Sequence, residues 1–179
     1  MKRAVFIAPI LGFGLLAFFL FRSLWNGPPD LLPSVLIDKP APTLGLAALD
    51  GSPGFTDADL RSGHVSVVNF FASWCAPCRL EADTLMALSK KPGITLYGVA
   101  YHDKPDDTRQ FLGETGNPFS AIVADLKGLR AIDWGVTAAP ETFVVDGKGV
   151  IRFKYVGQLT DPVIAQQLLP AVAAASQAR

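Results

Sequence analysis

The stretch Trp74-Cys75-Ala76-Pro77-Cys78 decides how this chain is read. Val65-Ser66-Val67-Val68-Asn69-Phe70-Phe71 runs into it, β-branched and aromatic, and reads as a buried strand. Arg79 to Leu88 follows, with apolar Ala82, Leu85, Met86 and Leu88 close to helical spacing. The two cysteines therefore sit where a strand hands over to a helix. Cys75 falls at the helix N-terminus, where free N–H groups and the macrodipole favour an anion. A thiolate is such an anion and is the reactive form of cysteine. Cys78 lies on the same side of the first turn, within reach of a disulfide. That constellation suits a thiol–disulfide exchanger. A zinc site needs four ligands, and the chain has only these two cysteines and two histidines, His64 and His102, that are not at finger spacing. Arg79 stands where a haem-attachment motif needs histidine. A purely structural bridge over so short a loop removes little chain entropy.

The chain has 179 residues, 50% of them hydrophobic, and 16 basic against 16 acidic side chains. Zero net charge invites no nucleic acid. Mean hydropathy is +0.31, and part of the excess lies at the start. Met1-Lys2-Arg3 precedes an uncharged run from Ala4 to Phe21. Such a run just reaches across a hydrocarbon core of ~30 Å. Lys2 and Arg3 argue for a cytoplasmic N-terminus, and Trp25 suits an interfacial anchor. No small-x-small cleavage site follows, which favours an uncleaved anchor over a signal peptide. The expected organisation is a cytoplasmic tip over 1–3, a transmembrane anchor over 4–22, a proline-rich linker over 23–39 and one domain over 40–179. That domain would face a bacterial periplasm from a single-pass inner-membrane anchor, in a compartment that forms disulfides. With no cysteines beyond the motif, its core must hold by burial alone.

Along the domain, Thr43 to Leu49 alternates weakly and ends at an Asp50-Gly51 turn. Thr56 to Asp59 has capping-box spacing. After the motif helix, Ile94 to Tyr101 reads as a strand. Asp103 caps a helix running to Glu114, with Pro105 in its first turn. Gly116 to Phe119 is a turn, Ser120 to Ala124 a short strand, and Lys127 to Asp133 a short helix. Thr142 to Val145 and Val150 to Val156 form a hairpin across Asp146-Gly147-Lys148-Gly149. Thr160 opens a last helix, with Pro162 in its first turn. Alternating strands and helices, then a late hairpin, predict an α/β sandwich: a central mixed sheet with helices on both faces. The cysteines fall at a strand's C-terminal end, where ligands and chemistry usually sit.

Trp74-Cys75-x-x-Cys78 at such a junction, with Pro140 later, resembles the thioredoxin superfamily. Gly135-Val136-Thr137-Ala138-Ala139-Pro140-Glu141-Thr142-Phe143-Val144-Val145-Asp146 is similar to the Gly-Val-x-x-x-Pro-Glu-Thr-Phe-x-x-Asp signature of the CcmG/DsbE family of cytochrome c maturation. The Gly116-Asn117-Pro118-Phe119 turn and Arg79-x-Glu81 resemble it too, and the likeness runs from about Pro40 to Thr160. The resemblance implies a thioredoxin-like sandwich. It implies a thiol-disulfide oxidoreductase that reduces apocytochrome c, or a carrier of the haem-ligation machinery, so that both thiols can take haem. A DsbD/CcdA-type membrane thiol transporter would return the electrons. Cys75 would be the exposed nucleophile and Cys78 the resolving thiol. Pro140 would be a cis-proline facing them, with the backbone of Ala139 pairing with an extended substrate. No cofactor or metal is implied beyond the Cys75-Cys78 disulfide, and a monomer is expected.

Six residues before Cys75, where thioredoxin has a buried aspartate proposed to move a proton, stands Asn69, which has no proton to exchange. Glu81 and Glu141 are the candidates for tuning the thiols and for shaping an acidic rim. Trp74, Ala76 and Pro77 are candidate substrate contacts. Trp134 is expected either to line the groove or to fill core, and Tyr101 and Asp103 to lie at the rim. Ala76-Pro77 resembles thioredoxin's Gly-Pro. A reducing poise is therefore expected, nearer thioredoxin's roughly −270 mV than the about −120 mV of the oxidant DsbA. The alternatives are a general thioredoxin-like reductase of other exported proteins and a redox-inert binding or chaperone module.

Overall fold

The computed structural model describes residues 12–22 and 34–178. They belong to two separate units, Met1–Pro33 and Ser34–Arg179. In the first unit, residues 12–22 form an α-helix (α1) with exposed Phe13, Phe18 and Phe21. No helix among the described residues is long and apolar enough to cross a membrane. The expected tip at 1–3, the start of the expected anchor at 4–22 and residues 23–33 of the linker expected over 23–39 lie outside the described residues.

The second unit is built on five strands: β1 (Ser66–Phe71), β2 (Thr95–Tyr101), β3 (Ala121–Asp125), β4 (Glu141–Val145) and β5 (Ile151–Val156). Their order is β3-β2-β1-β4-β5. β1 runs parallel to β2, and β2 to β3. β4 runs antiparallel to both β1 and β5. The helices are α2 (Ala76–Ser89), α3 (Pro105–Thr115), α4 (Leu129–Asp133), α5 (Asp161–Val163) and α6 (Leu169–Gln177), with a π-helical segment at Ile164–Leu168 joining the last two.

Side chains alternate across a strand, so β1 feeds two cores. Val67 and Phe71 pack with Leu85 and Leu88 of α2, Phe111 of α3 and Val172 of α6. Val68 and Phe70 pack on the other face with Leu60, Ala131 of α4 and Trp134. The sheet is thus mixed and covered on both faces, as the alternation of elements predicts. Every residue of β1 is buried, which is why it reads as a continuous apolar run. Gly98 is required in β2, because a Cβ there would meet the stacked rings of Phe119 and Phe71 at 2.9 Å.

Thr43 to Leu49 departs from its weak alternation and forms no strand. Leu49 instead donates its N–H to the carbonyl of Ile122, and Ala124 to that of Ala47, so the segment lies along edge strand β3. At the opposite edge, Asp38 donates its N–H to Ile151, and Ile151 donates back to Lys39. The chain ahead of β1 therefore covers both open edges, which exposed pairing groups would otherwise leave available to other chains. Of the capping box expected over Thr56 to Asp59, the half in which Asp59 accepts the Thr56 N–H forms, while the Thr56 hydroxyl caps no N–H. The Thr56 N–H and hydroxyl both donate to the Asp59 carboxylate, ahead of a 3-10 turn at Asp59–Arg61.

Candidate active site

The turn out of β1 delivers Cys75 to the N-cap of α2 in extended conformation, with Pro77 in the first turn. Its Sγ accepts the N–H of Cys78 at 3.1 Å. Cys75 and Cys78 form a disulfide, S–S 2.07 Å. The N-cap position suits Cys75 to the nucleophile's role that the resemblance implies. On reduction, the helix N-terminus and the Cys78 N–H favour a thiolate at Cys75, while Cys78 lies inside the helix. The expectation of an exposed Cys75 needs correction: in this oxidised form Cys75 is 3% exposed and Cys78 2%. Both sulfurs belong to the apolar core beneath α2, under exposed Trp74, Ala76 and Pro77.

The loop ahead of Cys75 is clamped from β2. Asp103 accepts from the N–H and hydroxyl of Ser73 at 2.6 and 2.7 Å and from the Thr108 hydroxyl at 2.9 Å. Trp74 donates its indole N–H to the carbonyl of His102, and its ring lies 6.2 Å from that of half-buried Tyr101. Asp103 is therefore a buried clamp on the cysteine loop and lies away from the rim. Of its two expected places, lining the groove or filling core, Trp134 takes the second. It is fully buried against Phe70 and Phe143, with its N–H on the Pro42 carbonyl, so it fills core and touches no groove.

The Ala139–Pro140 bond is cis, as the resemblance implies. Ala139 is half-buried and packs against the same core as the disulfide, while Pro140 is buried. Thr137 and Ala138 just before them are exposed, leaving that approach open.

Glu81 and Glu141 are both fully buried, so neither shapes an acidic rim. Glu81, one helical turn past Cys78, accepts the Asn69 side-chain N–H at 3.1 Å and the Leu159 N–H at 2.7 Å. Burial pushes its pKa up to about 7, and those two donors pull it down only partly. Asn69 donates also to the Thr142 hydroxyl, and its own side-chain oxygen has no partner. A cavity of about 10 Å³ lies against both Cys78 and Glu81, walled by Phe71, Phe111 and Phe119. That volume is at the lower limit for one water, and its walls are almost wholly apolar. Glu81 is thus a buried carboxyl, one helical turn past Cys78, whose pKa lies near neutral pH.

Glu141 has a different setting. One oxygen accepts from the N–H and hydroxyl of Thr137 at 2.8 and 2.7 Å and from the Ala138 N–H at 3.3 Å. The other lies 2.8 Å from the ammonium of Lys154, an ion contact without hydrogen-bond alignment. Lys154 and Leu159 escaped the sequence reading, because only the tertiary fold brings the Lys154 ammonium to Glu141 and the Leu159 N–H to Glu81. Thr137 and Thr142 stand inside the Gly135 to Asp146 signature, which gave neither a role. Among the described residues no cluster suits a metal ion.

The redoxin family matches residues 37–168. The chain is 43% identical over 153 residues to the thiol:disulfide interchange protein HelX of Rhodobacter capsulatus, covering 86% of each chain. It is 39% identical over 171 residues to the thiol:disulfide interchange protein DsbE of Pseudomonas aeruginosa, covering 95% of this chain and 93% of that one. A thiol:disulfide interchange protein of Chlorobium tepidum has the same fold, with TM-score 0.57, 25% identity, and coverage of 80% of this chain and 99% of that one. Their shared activity is the one the bridged pair at the head of α2 can perform. This chain accordingly belongs to the redoxin family, as a thioredoxin-like thiol-disulfide oxidoreductase of the CcmG/DsbE type.

Proposed function

We propose that the protein is a membrane-anchored reductant facing the periplasm, where it opens disulfides in the haem-attachment sites of apocytochrome c or of a carrier holding them. The observation that carries this reading is the disulfide at the N-cap of α2 with Glu81 buried behind it. The Pro140-Glu141-Thr142-Phe143 signature and the likeness to HelX and DsbE support the choice of substrate. The apolar run from Ala4 to Phe21 supports the anchor. An anchored domain stays beside a membrane thiol transporter of the DsbD/CcdA type, which supplies electrons continuously in an oxidising compartment.

In the reduced enzyme the Cys75 thiolate attacks one sulfur of the substrate disulfide and expels the other as a thiolate. The substrate segment lies beside Ala139 as an added strand. Cys78 then loses its proton towards Glu81 and attacks the Cys75 sulfur. The Cys75–Cys78 bond forms, the mixed disulfide breaks, and the substrate leaves with two electrons, its two thiolates taking two protons from solvent while Glu81 keeps the one that Cys78 gave up. Glu81 returns that proton when Cys78 is reduced again. No cofactor enters beyond the cysteine pair.

Replacing Cys78→Ser should stop the second step. Cells carrying that variant should accumulate a mixed disulfide through Cys75, and mass spectrometry of the trapped partner should find an apocytochrome c or its thiol carrier. A spread of unrelated exported proteins would assign a general reductase instead. Absence of any trapped adduct would end the exchange mechanism.

A further inference from the structure

The loop from Gly135 to Ala139 joins α4 to β4 and ends at the cis-proline. Two buried side chains hold it from within. Glu141 binds the Thr137 and Ala138 end through one oxygen. Lys154 on β5 donates to the carbonyl of Gly135 at 2.7 Å, holding the other end. The Lys154 ammonium also lies 2.8 Å from the second oxygen of Glu141 and 5.4 Å from the centre of the Phe143 ring. Register places Lys154 opposite Phe143, so Glu141, Phe143 and Lys154 share one face of the sheet. The side chain of Lys154 is 11% exposed, so this ammonium has given up most of its water for these contacts. The Gly157 N–H on the Pro140 carbonyl ties the far end of the loop to the end of β5 as well.

We propose that Lys154 is a positioning residue of the exchange reaction. With Glu141 it fixes the Gly135–Ala139 loop in the form that offers the Ala139 backbone to an extended disulfide-bearing peptide. This rests on the reading that substrate pairs beside Ala139. Lys154 makes none of its contacts with the sulfurs, so its effect falls on peptide binding and leaves the thiol chemistry alone. Loss of the ammonium frees both the Gly135 carbonyl and one oxygen of Glu141. The loop then samples forms in which Ala139 no longer matches a strand, and the peptide binds the competent form only part of the time.

The test compares two substrates of the reduced enzyme: a peptide with an oxidised Cys-x-x-Cys-His segment, and glutathione disulfide, which is too short to add a strand. In Lys154→Met, KM for the peptide should rise about tenfold with kcat within about twofold, while the glutathione equilibrium of the cysteine pair stays put. Lys154→Arg, which keeps charge and donors, should recover most of the loss. The double variant Glu141→Gln with Lys154→Met leaves no unpaired buried charge. It should keep the raised KM even if the single variant folds poorly. An unchanged KM in the double variant, or equal losses on both substrates, would overturn the positioning role. A wild-type enzyme that reduces peptide and glutathione disulfide alike would overturn the strand-pairing reading beneath it, and the role of Lys154 with it.

Discussion

Glu81 and Glu141 are the same residue type, equally buried, and set behind the same disulfide and proline. They lie on opposite faces of the sheet. Glu81 comes from α2 onto the face of Val67, Asn69 and Phe71, where Asn69 links it to Thr142. Glu141 precedes Thr142 and points the other way, towards Phe143 and Lys154. The first has only neutral donors, so burial wins and its proton is held up to about pH 7. The second has a cation at 2.8 Å and three donors from one loop. Partners, more than residue type or depth, leave one carboxyl with a raised pKa and set the other against a cation.

The largest effect that separates them should come from removing the cation. Lys154→Ala leaves a buried carboxylate unpaired, which typically costs about 3–5 kcal/mol. Urea denaturation should show that loss at pH 7. A loss under about 1 kcal/mol would place Glu141 with Glu81 as a carboxyl that tolerates isolation.

Glu81→Gln should act with the opposite sign. The folded pKa of about 7 lies above the ordinary 4.5, so the native oxidised protein holds a proton that the unfolded chain has released. The contribution of Glu81 to stability is therefore most favourable below pH 4.5, falls as pH rises towards 7, and is level above it. The accumulated penalty is about 3 kcal/mol at pH 8. Glu81→Gln should recover most of it and flatten the pH profile, as denaturation of the oxidised protein at pH 4 and pH 8 can show. In the same variant dithiol exchange at pH 7 should fall about a hundredfold, the scale of one general acid–base group. A stabler protein with undiminished exchange would leave Glu81 no chemical role.

The smallest effect is expected at the exposed lip. Trp74 is 58% exposed and held by one hydrogen bond and one ring contact. Trp74→Ala should change stability by less than about 1 kcal/mol, whereas peptide KM should rise several-fold. A larger stability loss would make Trp74 part of the clamp that Asp103 builds on Ser73.

The elements around the disulfide were legible because local signals agreed there. The apolar run of β1, the helical spacing of α2 and the turn chemistry of Asp146 to Gly149 all point the same way. The segment before β1 was harder, because Leu44 and Leu49 fill the cores from edge-lying chain that has no ladder of its own. Trp134 and Asp103 were ambiguous for a similar reason. An aromatic or a carboxylate near a motif looks alike in sequence whether it faces solvent or core.

By itself the chain pointed to the exchange chemistry, through two cysteines at a strand-to-helix junction together with the Pro140-Glu141-Thr142-Phe143 segment, and it determined the order of strands and helices. Tertiary structure alone decided the partners of the buried charges. Leu159 reaches Glu81 from 78 positions away, and Thr142 reaches Asn69 from 73. Proton affinity depends on burial and on the nearest donors and charges. Those are set by which faces pack together, a relation that spacing along the chain does not contain.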